Sequence, residues 1–138
     1  MTIVFDSNVC ISAFITTSGV TKDVFLYCGE RHRVVISEYI IREVSEKLHC
    51  KLGFTLQEAG EVSLFLRQHM EVVELPKAIA ISVRDSKDAP IIALALSVKA
   101  DFLITGDKDL LSLKKTNKTE IIQPSEFWKK SRVKGSGT

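Results

Sequence analysis

Apolar residues occur along this chain in short runs separated by polar segments, and five of the runs have the composition of buried β-strands. They are rich in β-branched and aromatic residues, which is typical of strands. Apolar positions in most of them are consecutive rather than alternating, so the pattern indicates strands that are covered on both faces. The five predicted strands are residues 2–6, 33–37, 71–75, 102–105 and 120–122.

The segments between these strands carry the spacing and punctuation of helices. Thr55 and Glu58 form a capping-box pattern at the start of one helix. Pro90 lacks a backbone N–H and therefore suits the first turn of another helix, which is apolar nearly all round. Apolar residues at 40, 41, 44 and 48 make a helical stripe. The predicted helices are 8–15, 20–28, 38–50, Thr55 to about Leu66, Pro90 to about Val98, and 124–130.

Strands that alternate with helices predict an α/β fold with a mostly parallel sheet of about five strands and helices on both faces. The length of 138 residues suits one domain with one core. We therefore expect a single domain over residues 1–130. The remaining segment, 131–138, ends in GSGT and is predicted to be a flexible tail.

Composition narrows the class of protein. Apolar residues make up 45% of the chain, which is enough for a well-buried core, and the net charge is only +2. Three cysteines without a C-x-x-C spacing and three histidines without metal-ligand spacing favour a reducing compartment and argue against zinc. No apolar run reaches the length of a membrane span, and no signal peptide is recognisable. We expect a cytoplasmic protein that does not contact a membrane.

Acidic residues follow two of the predicted strands. Asp6 ends the first strand, and Asp107 comes directly after the fourth. The carboxyl ends of parallel strands share one edge of a sheet, and ligands bind at that edge where the strand order reverses. Asp88 begins the helix that leads back to the fourth strand, so it belongs to the same edge. Asp101 precedes the fourth strand and belongs to the opposite edge.

The helix at 38–50 offers a fourth acid. Glu46 points away from the apolar stripe of this helix, whereas Glu43 lies on the flank of the stripe and can reach the edge of a cleft. Glu43 is therefore preferred over Glu38 and Glu46.

Each acid also has an ordinary structural explanation. Asp6, Asp88 and Asp107 could each cap the helix that follows, and Glu43 could pair with Lys47 one turn later. Taken together, however, carboxylates gathered at one edge repel each other unless a cation neutralises them. An all-oxygen cluster suits Mg²⁺ or Mn²⁺. The sequence therefore predicts a metal site formed by these acids.

These residues resemble the four acidic motifs of the PIN-domain nucleases. The motifs are IVFDSNV, Glu43 within IIREVSEKL, DAPIIALAL and ADFLITGDKDLL, and the resemblance extends from Ile3 to about Trp128. Ser7 stands where many members have Thr. The resemblance implies a three-layer α/β/α sandwich, with Asp6, Glu43, Asp88 and Asp107 as metal-binding and catalytic residues. It implies metal-dependent cleavage of RNA, and it is greatest to the branch that includes toxins of toxin–antitoxin pairs. Members of that branch bind an antitoxin and commonly self-associate, so an antitoxin and a dimer or tetramer are expected.

Further residues have supporting roles in this hypothesis. Asn8 and Thr105 are candidates to orient the metal-binding carboxylates or to bind water. Asp109 and Asp85 are auxiliary candidates. A basic segment begins at Lys108, and its lysines are candidate RNA contacts: Lys108, Lys114 and Lys115, with Lys118 beside them.

Other functions remain open from the sequence alone. A catalytically inactive PIN-like scaffold that binds RNA or protein keeps the fold without the chemistry. A haloacid-dehalogenase-like phosphatase also begins with an Asp after the first strand, but it needs a second Asp where this chain has Asn8. A phosphoacceptor receiver domain needs an Asp after a middle strand, which VVELP does not provide.

Overall fold

The first predicted strand forms β1, Thr2–Phe5, at the centre of the sheet. In the computed structural model, which describes residues 1–75 and 88–136, the side chains of Ile3, Val4 and Phe5 are all buried. Three consecutive buried side chains point alternately to both faces, so both faces of β1 are covered. The other strands among the described residues are β2 (Arg33–Ser37), β3 (Glu71–Val73), β4 (Phe102–Ile104), β5 (Lys115–Thr116) and β6 (Thr119–Ile122).

Seven helices connect and flank these strands in the described part of the chain. Thr55 caps α4 in the predicted capping box, with its side chain accepting from the Glu58 N–H. In α5, the residues from Ile91 to Ala95 are all buried, so this helix is covered all round as its composition predicted. The helices are α1 (Ser7–Ile15), α2 (Val20–Arg31), α3 (Glu38–Cys50), α4 (Leu56–His69), α5 (Ala89–Ser97), α6 (Lys108–Leu113) and α7 (Pro124–Ser136).

The strand order is β3-β2-β1-β4-β6-β5, and all pairs except β5–β6 are parallel. The chain runs from β1 outward to β3 and then returns across the sheet to β4 on the other side of β1. Phe5 is paired with Ile104 in this central register. The strand order therefore reverses between β1 and β4, which is where ligands bind in open α/β sheets.

Crossovers between parallel strands are right-handed. Because the chain crosses the sheet first from β1 toward β3 and later from β3 toward β6, the connecting helices of the two paths lie on opposite faces of the sheet. Helices α1 to α4 connect the strands on the outward path and pack on each other. Helices α5 and α6 lie along the return path. This is the expected three-layer α/β/α sandwich with a mostly parallel sheet.

Several details differ from the sequence-based expectation, and one of them is the short helix α6, which was not among the predicted helices. The sheet has six strands among the described residues, not about five, because the two-residue β5 pairs with β6 through a tight turn at Asn117, whose φ is 50°. A strand of two residues is too short to give an apolar pattern. Helix α7 continues to Ser136, beyond the predicted end at Lys130. No proline follows Lys130, and the lysines and arginine there are good helix formers. Residues 131–136 therefore belong to α7, and residues 137–138 lie outside the described part.

Within the described residues, no single helix is long and apolar enough to cross a membrane. Helices α1 and α2 reach that length and composition only when taken together, across a bend of 108°.

Candidate active site

A cavity of about 250 Å³ lies where the strand order reverses, beyond the carboxyl ends of β1 and β4. Asp6, Glu43, Asp88 and Asp107 all line it. They come from four different segments: the end of β1, the middle of α3, the start of α5 and the start of α6. The structure therefore brings together the four acids that the sequence analysis selected, and Asp101 is not among them. Asp101 instead accepts a hydrogen bond from the Thr2 N–H at the opposite end of β1.

Asp6 is held from two sides. Its backbone N–H donates to the Ile104 carbonyl at 3.1 Å, which continues the pairing of β1 with β4 by one residue. Its Oδ2 accepts from the Thr105 hydroxyl at 2.7 Å, and its Oδ1 accepts from the Ser7 hydroxyl at 3.4 Å. The carboxylate makes no capping hydrogen bond to α1, although Asp6 is the residue before that helix. Helix capping therefore does not account for this carboxylate.

Thr105 connects the two central aspartates. Its side chain is fully buried, and its Oγ1 both donates to Asp6 and accepts from the Asp107 N–H at 3.0 Å. Asp107 does cap its helix, because Oδ1 accepts from the N–H groups of Asp109 and Leu110 at 2.8 and 3.3 Å. These bonds fix the direction of the Asp107 side chain relative to Asp6.

The position of Glu43 follows from the helical stripe. Ile40, Val44 and Leu48 are buried against the sheet, and Glu43 on the flank of this stripe is half-buried at the cavity. Glu46 is exposed and does not line the cavity.

Glu38, the third acid of α3, points elsewhere. It accepts two hydrogen bonds from the Arg67 guanidinium, at 2.6 and 2.8 Å. These hydrogen bonds lower the pKa of Glu38 below its ordinary value. Glu38 therefore joins α3 to α4 at the surface and does not contribute to the cavity.

Lys47 and Tyr39 also line the cavity, and the sequence analysis did not assign them to the site. Among the described residues no ion pair joins Lys47 to Glu43, so the ordinary explanation for Glu43 is not realised. Instead the Lys47 Nζ donates to Asn8 Oδ1 at 3.4 Å. The available signal was the four-residue spacing from Glu43, which places Lys47 on the same side of α3.

The auxiliary residues are placed as follows. Asn8 lines the cavity, and Thr105 lies directly behind Asp6. Asp109 is exposed in the first turn of α6 and does not line the cavity. Asp85 lies outside the described residues. The candidate RNA contacts Lys108, Lys114 and Lys115 are all exposed, and none of them lines the cavity.

The donor set fits a hard divalent cation, but the carboxylates do not form a closed cage. Among residues 1–75 and 88–136, no group of three His, Cys, Asp or Glu side chains lies close enough together to hold a metal by itself. Carboxylates without a cation between them repel and keep apart. Mg²⁺ keeps several water ligands and needs only one or two direct carboxylates. Four acids around an open cavity therefore suit a partly hydrated ion.

Three comparisons place the chain among known proteins. The family model described as PIN domain matches residues 2–109. The uncharacterized protein MJ1680 of Methanocaldococcus jannaschii is 33% identical over 120 residues, which cover 84% of this chain and 77% of that protein. The crystal structure of VapBC2 from Rickettsia felis bound to a DNA fragment from their promoter contains a chain with the same fold. Its TM-score is 0.65 at 12% identity, and the match covers 89% of this chain and 98% of that one.

The family match extends from β1 into α6 and so includes all four acids of the cavity. This assignment supersedes the phosphatase and receiver-domain alternatives. The chain belongs to the PIN-domain family, whose members are generally nucleases.

Proposed function

We propose that this protein is a metal-dependent ribonuclease that hydrolyses RNA phosphodiester bonds at the cavity formed by Asp6, Glu43, Asp88 and Asp107. The observation that carries the proposal is the meeting of these four carboxylates, from four separate segments, in one cavity of a PIN-domain chain. An isolated acid at a helix start needs no function, but four acids from separate segments around one open cavity make a negative site that favours a divalent cation.

The protein side chains have distinct roles in this proposal. The four carboxylates hold Mg²⁺ or Mn²⁺, in agreement with the general use of divalent metals by PIN nucleases. Thr105 keeps the Asp6 carboxylate turned toward the cavity, and its bond to the Asp107 N–H fixes the second aspartate. When bound, the ion supplies activation of water and neutralisation of charge on the phosphate. No protein nucleophile is required.

We further propose that the protein is the toxin of a toxin–antitoxin pair, is held inactive by an antitoxin, and self-associates. The support is its fold similarity to a chain of the VapBC2 assembly. If this is correct, induced expression in a bacterial host arrests growth, and the Asp6→Asn variant does not. Light scattering of the purified protein tests the oligomeric state, and a monomer at micromolar concentration contradicts self-association.

The central experiment compares two substitutions on the same helix. Wild type, Glu43→Gln and Glu46→Gln are purified identically and incubated with mixed RNA in Mn²⁺, in Mg²⁺ and in EDTA. Glu43→Gln is expected to lower the cleavage rate on the order of 100-fold, as removal of an electrostatic contributor to catalysis does. Glu46→Gln removes the same charge outside the cavity and is expected to cleave like wild type.

Three results would argue against the proposal. Cleavage that persists in EDTA or in Glu43→Gln shows a contaminating nuclease or a different site. If wild type neither cleaves RNA nor binds Mn²⁺ in calorimetry, the protein is an inactive scaffold.

A further inference from the structure

We propose that Lys47 is a substrate-binding residue whose ammonium group contacts a backbone phosphate of the RNA. This inference rests on the proposed ribonuclease function and names a residue of that same site. It starts from an unexpected feature of the cavity: a lysine lies among four carboxylates without pairing with the glutamate one turn before it.

The position of Lys47 is fixed by two elements. Helix α3 places it one turn after Glu43, half-buried at the cavity. Its Nζ reaches across to α1 and donates to Asn8 Oδ1 at 3.4 Å. The ammonium group therefore lies at the solvent-exposed rim of the cavity, beside the start of α1.

The charge of Lys47 has not been neutralised by this contact. Asn8 offers a neutral amide oxygen, and an ammonium group has three donors, so donors remain for an anion. Among the described residues Lys47 forms no ion pair with a carboxylate. It is also the only basic side chain among the described residues that line the cavity.

A phosphate group is the ligand that this arrangement fits. A cavity of carboxylates repels the RNA backbone wherever a bound cation does not neutralise them, so a positive charge beside the acids favours the entry of phosphate. Lysine is a compact point charge that binds phosphate well. The exposed lysines of α6 and β5 lie outside the cavity and cannot make this contact in their present positions.

The experiment measures RNA binding apart from cleavage. The probe is a 5′-fluorescein-labelled single-stranded RNA of mixed sequence, and anisotropy is followed in Ca²⁺ over a series of salt concentrations. The RNA is recovered afterwards and shown to be intact on a gel. The proteins are wild type, Lys47→Gln, Lys47→Arg and the matched control Lys51→Gln. Lys51 is an exposed lysine at the end of the same helix and does not line the cavity.

We expect Lys47→Gln to weaken RNA binding about tenfold, the effect of losing one charge-assisted hydrogen bond. The slope of log affinity against log salt should fall by about 0.7, which corresponds to one phosphate contact on a single strand. Lys47→Arg should restore most of the affinity, and Lys51→Gln should match wild type. Mn²⁺ affinity in calorimetry should be unchanged or higher in Lys47→Gln, because a positive charge near the carboxylates has been removed.

A purely structural role gives a different result. If Lys47 acts only by holding Asn8, then Asn8→Ala reproduces the loss of binding, and the salt slope stays at its wild-type value in both variants; that outcome overturns the proposal. Equal RNA binding by wild type and Lys47→Gln overturns it too and leaves the ribonuclease function intact. If wild type binds no RNA at all, both the function and the role of Lys47 are wrong.

Discussion

The hydroxyl of Thr105 is the part of the site whose contribution can be worked out most directly. It is fully buried, it donates to Asp6 Oδ2 at 2.7 Å, and it accepts from the Asp107 N–H at 3.0 Å. Thr105→Val keeps nearly the same shape and removes both bonds. A hydrogen bond to a charged group contributes about 1.5–3 kcal/mol and a neutral one about 1 kcal/mol. Water in the cavity replaces part of this for the half-buried Asp6, so we expect a loss of about 2 kcal/mol in the free energy of unfolding.

A matched control is available on the opposite edge of the sheet. Thr119 is also buried, and its hydroxyl donates to the Ala100 carbonyl at 2.6 Å, away from the acids. Thr119→Val should cost about 1 kcal/mol. The two variants therefore both lose stability, but only Thr105→Val releases a carboxylate of the cavity. Groups that orient metal ligands are worth about 10- to 100-fold in metal affinity, so we expect at least a tenfold weaker binding of Mn²⁺ by Thr105→Val alone.

Urea unfolding in EDTA measures the stability of each variant, and calorimetric titration with Mn²⁺ measures the affinity. Thr105→Ser retains the hydroxyl and should bind Mn²⁺ nearly as well as wild type. The reasoning is refuted if Thr105→Val binds Mn²⁺ as tightly as Thr119→Val does, because the hydroxyl then does not position Asp6.

Three further predictions concern pH and thiol chemistry. Burial and the positive charge of the amino terminus lower the pKa of His32, so the unfolded chain binds a proton there that the folded chain does not. The contribution of His32 to the free energy of unfolding should be fully present above the ordinary pKa of about 6.5 and should be lost as the pH drops below it. Urea unfolding at pH 7.5 and 5.5 should therefore show a smaller decrease in the free energy of unfolding for His32→Phe than for wild type. An equal decrease would contradict this. Burial raises the pKa of Cys28 to about 12 and also raises that of Cys10, whereas Cys50 is exposed. Ellman's reagent at pH 8 should therefore label Cys50 rapidly and the other two cysteines only in denaturant. Fast labelling of all three would show that the core opens readily. Finally, Mn²⁺ affinity should fall steeply between pH 7 and pH 4, because protons compete for the cavity carboxylates; equal binding at both pH values would place the metal elsewhere.

The placement of Asp6, Asp88 and Asp107 at one edge of the sheet was predictable because it follows from the direction of parallel strands and helices. Continuous apolar runs identify parallel strands, and parallel strands bring their carboxyl ends to one edge. Glu43 was distinguishable from Glu46 because the helical stripe fixes which side of α3 meets the sheet. These inferences depend on the pattern of residues within each element and on the order of the elements along the chain.

Contacts between elements were not predictable in the same way. Lys47 and Asn8 lie 39 positions apart and meet only because α1 and α3 pack side by side. The sequence shows which residues are charged but not where their side chains point in the fold. The lysines that follow Asp107 were therefore expected at the site, and Lys47 was not. The antiparallel β5 was missed since two residues have no period.

The site joins segments that lie far apart in the sequence. The hydroxyl of Thr105 and the carboxylate it holds are 99 positions apart, and β4 must insert beside β1 before they can meet. Contacts between distant segments form late, and domains emerge from the ribosome with their amino-terminal part first. A nascent chain that ends before β4 has β1 and β2 but cannot enclose the cavity. Under the proposed function, the ribosome that makes this protein meets an active nuclease only after β4 and Asp107 have been synthesised.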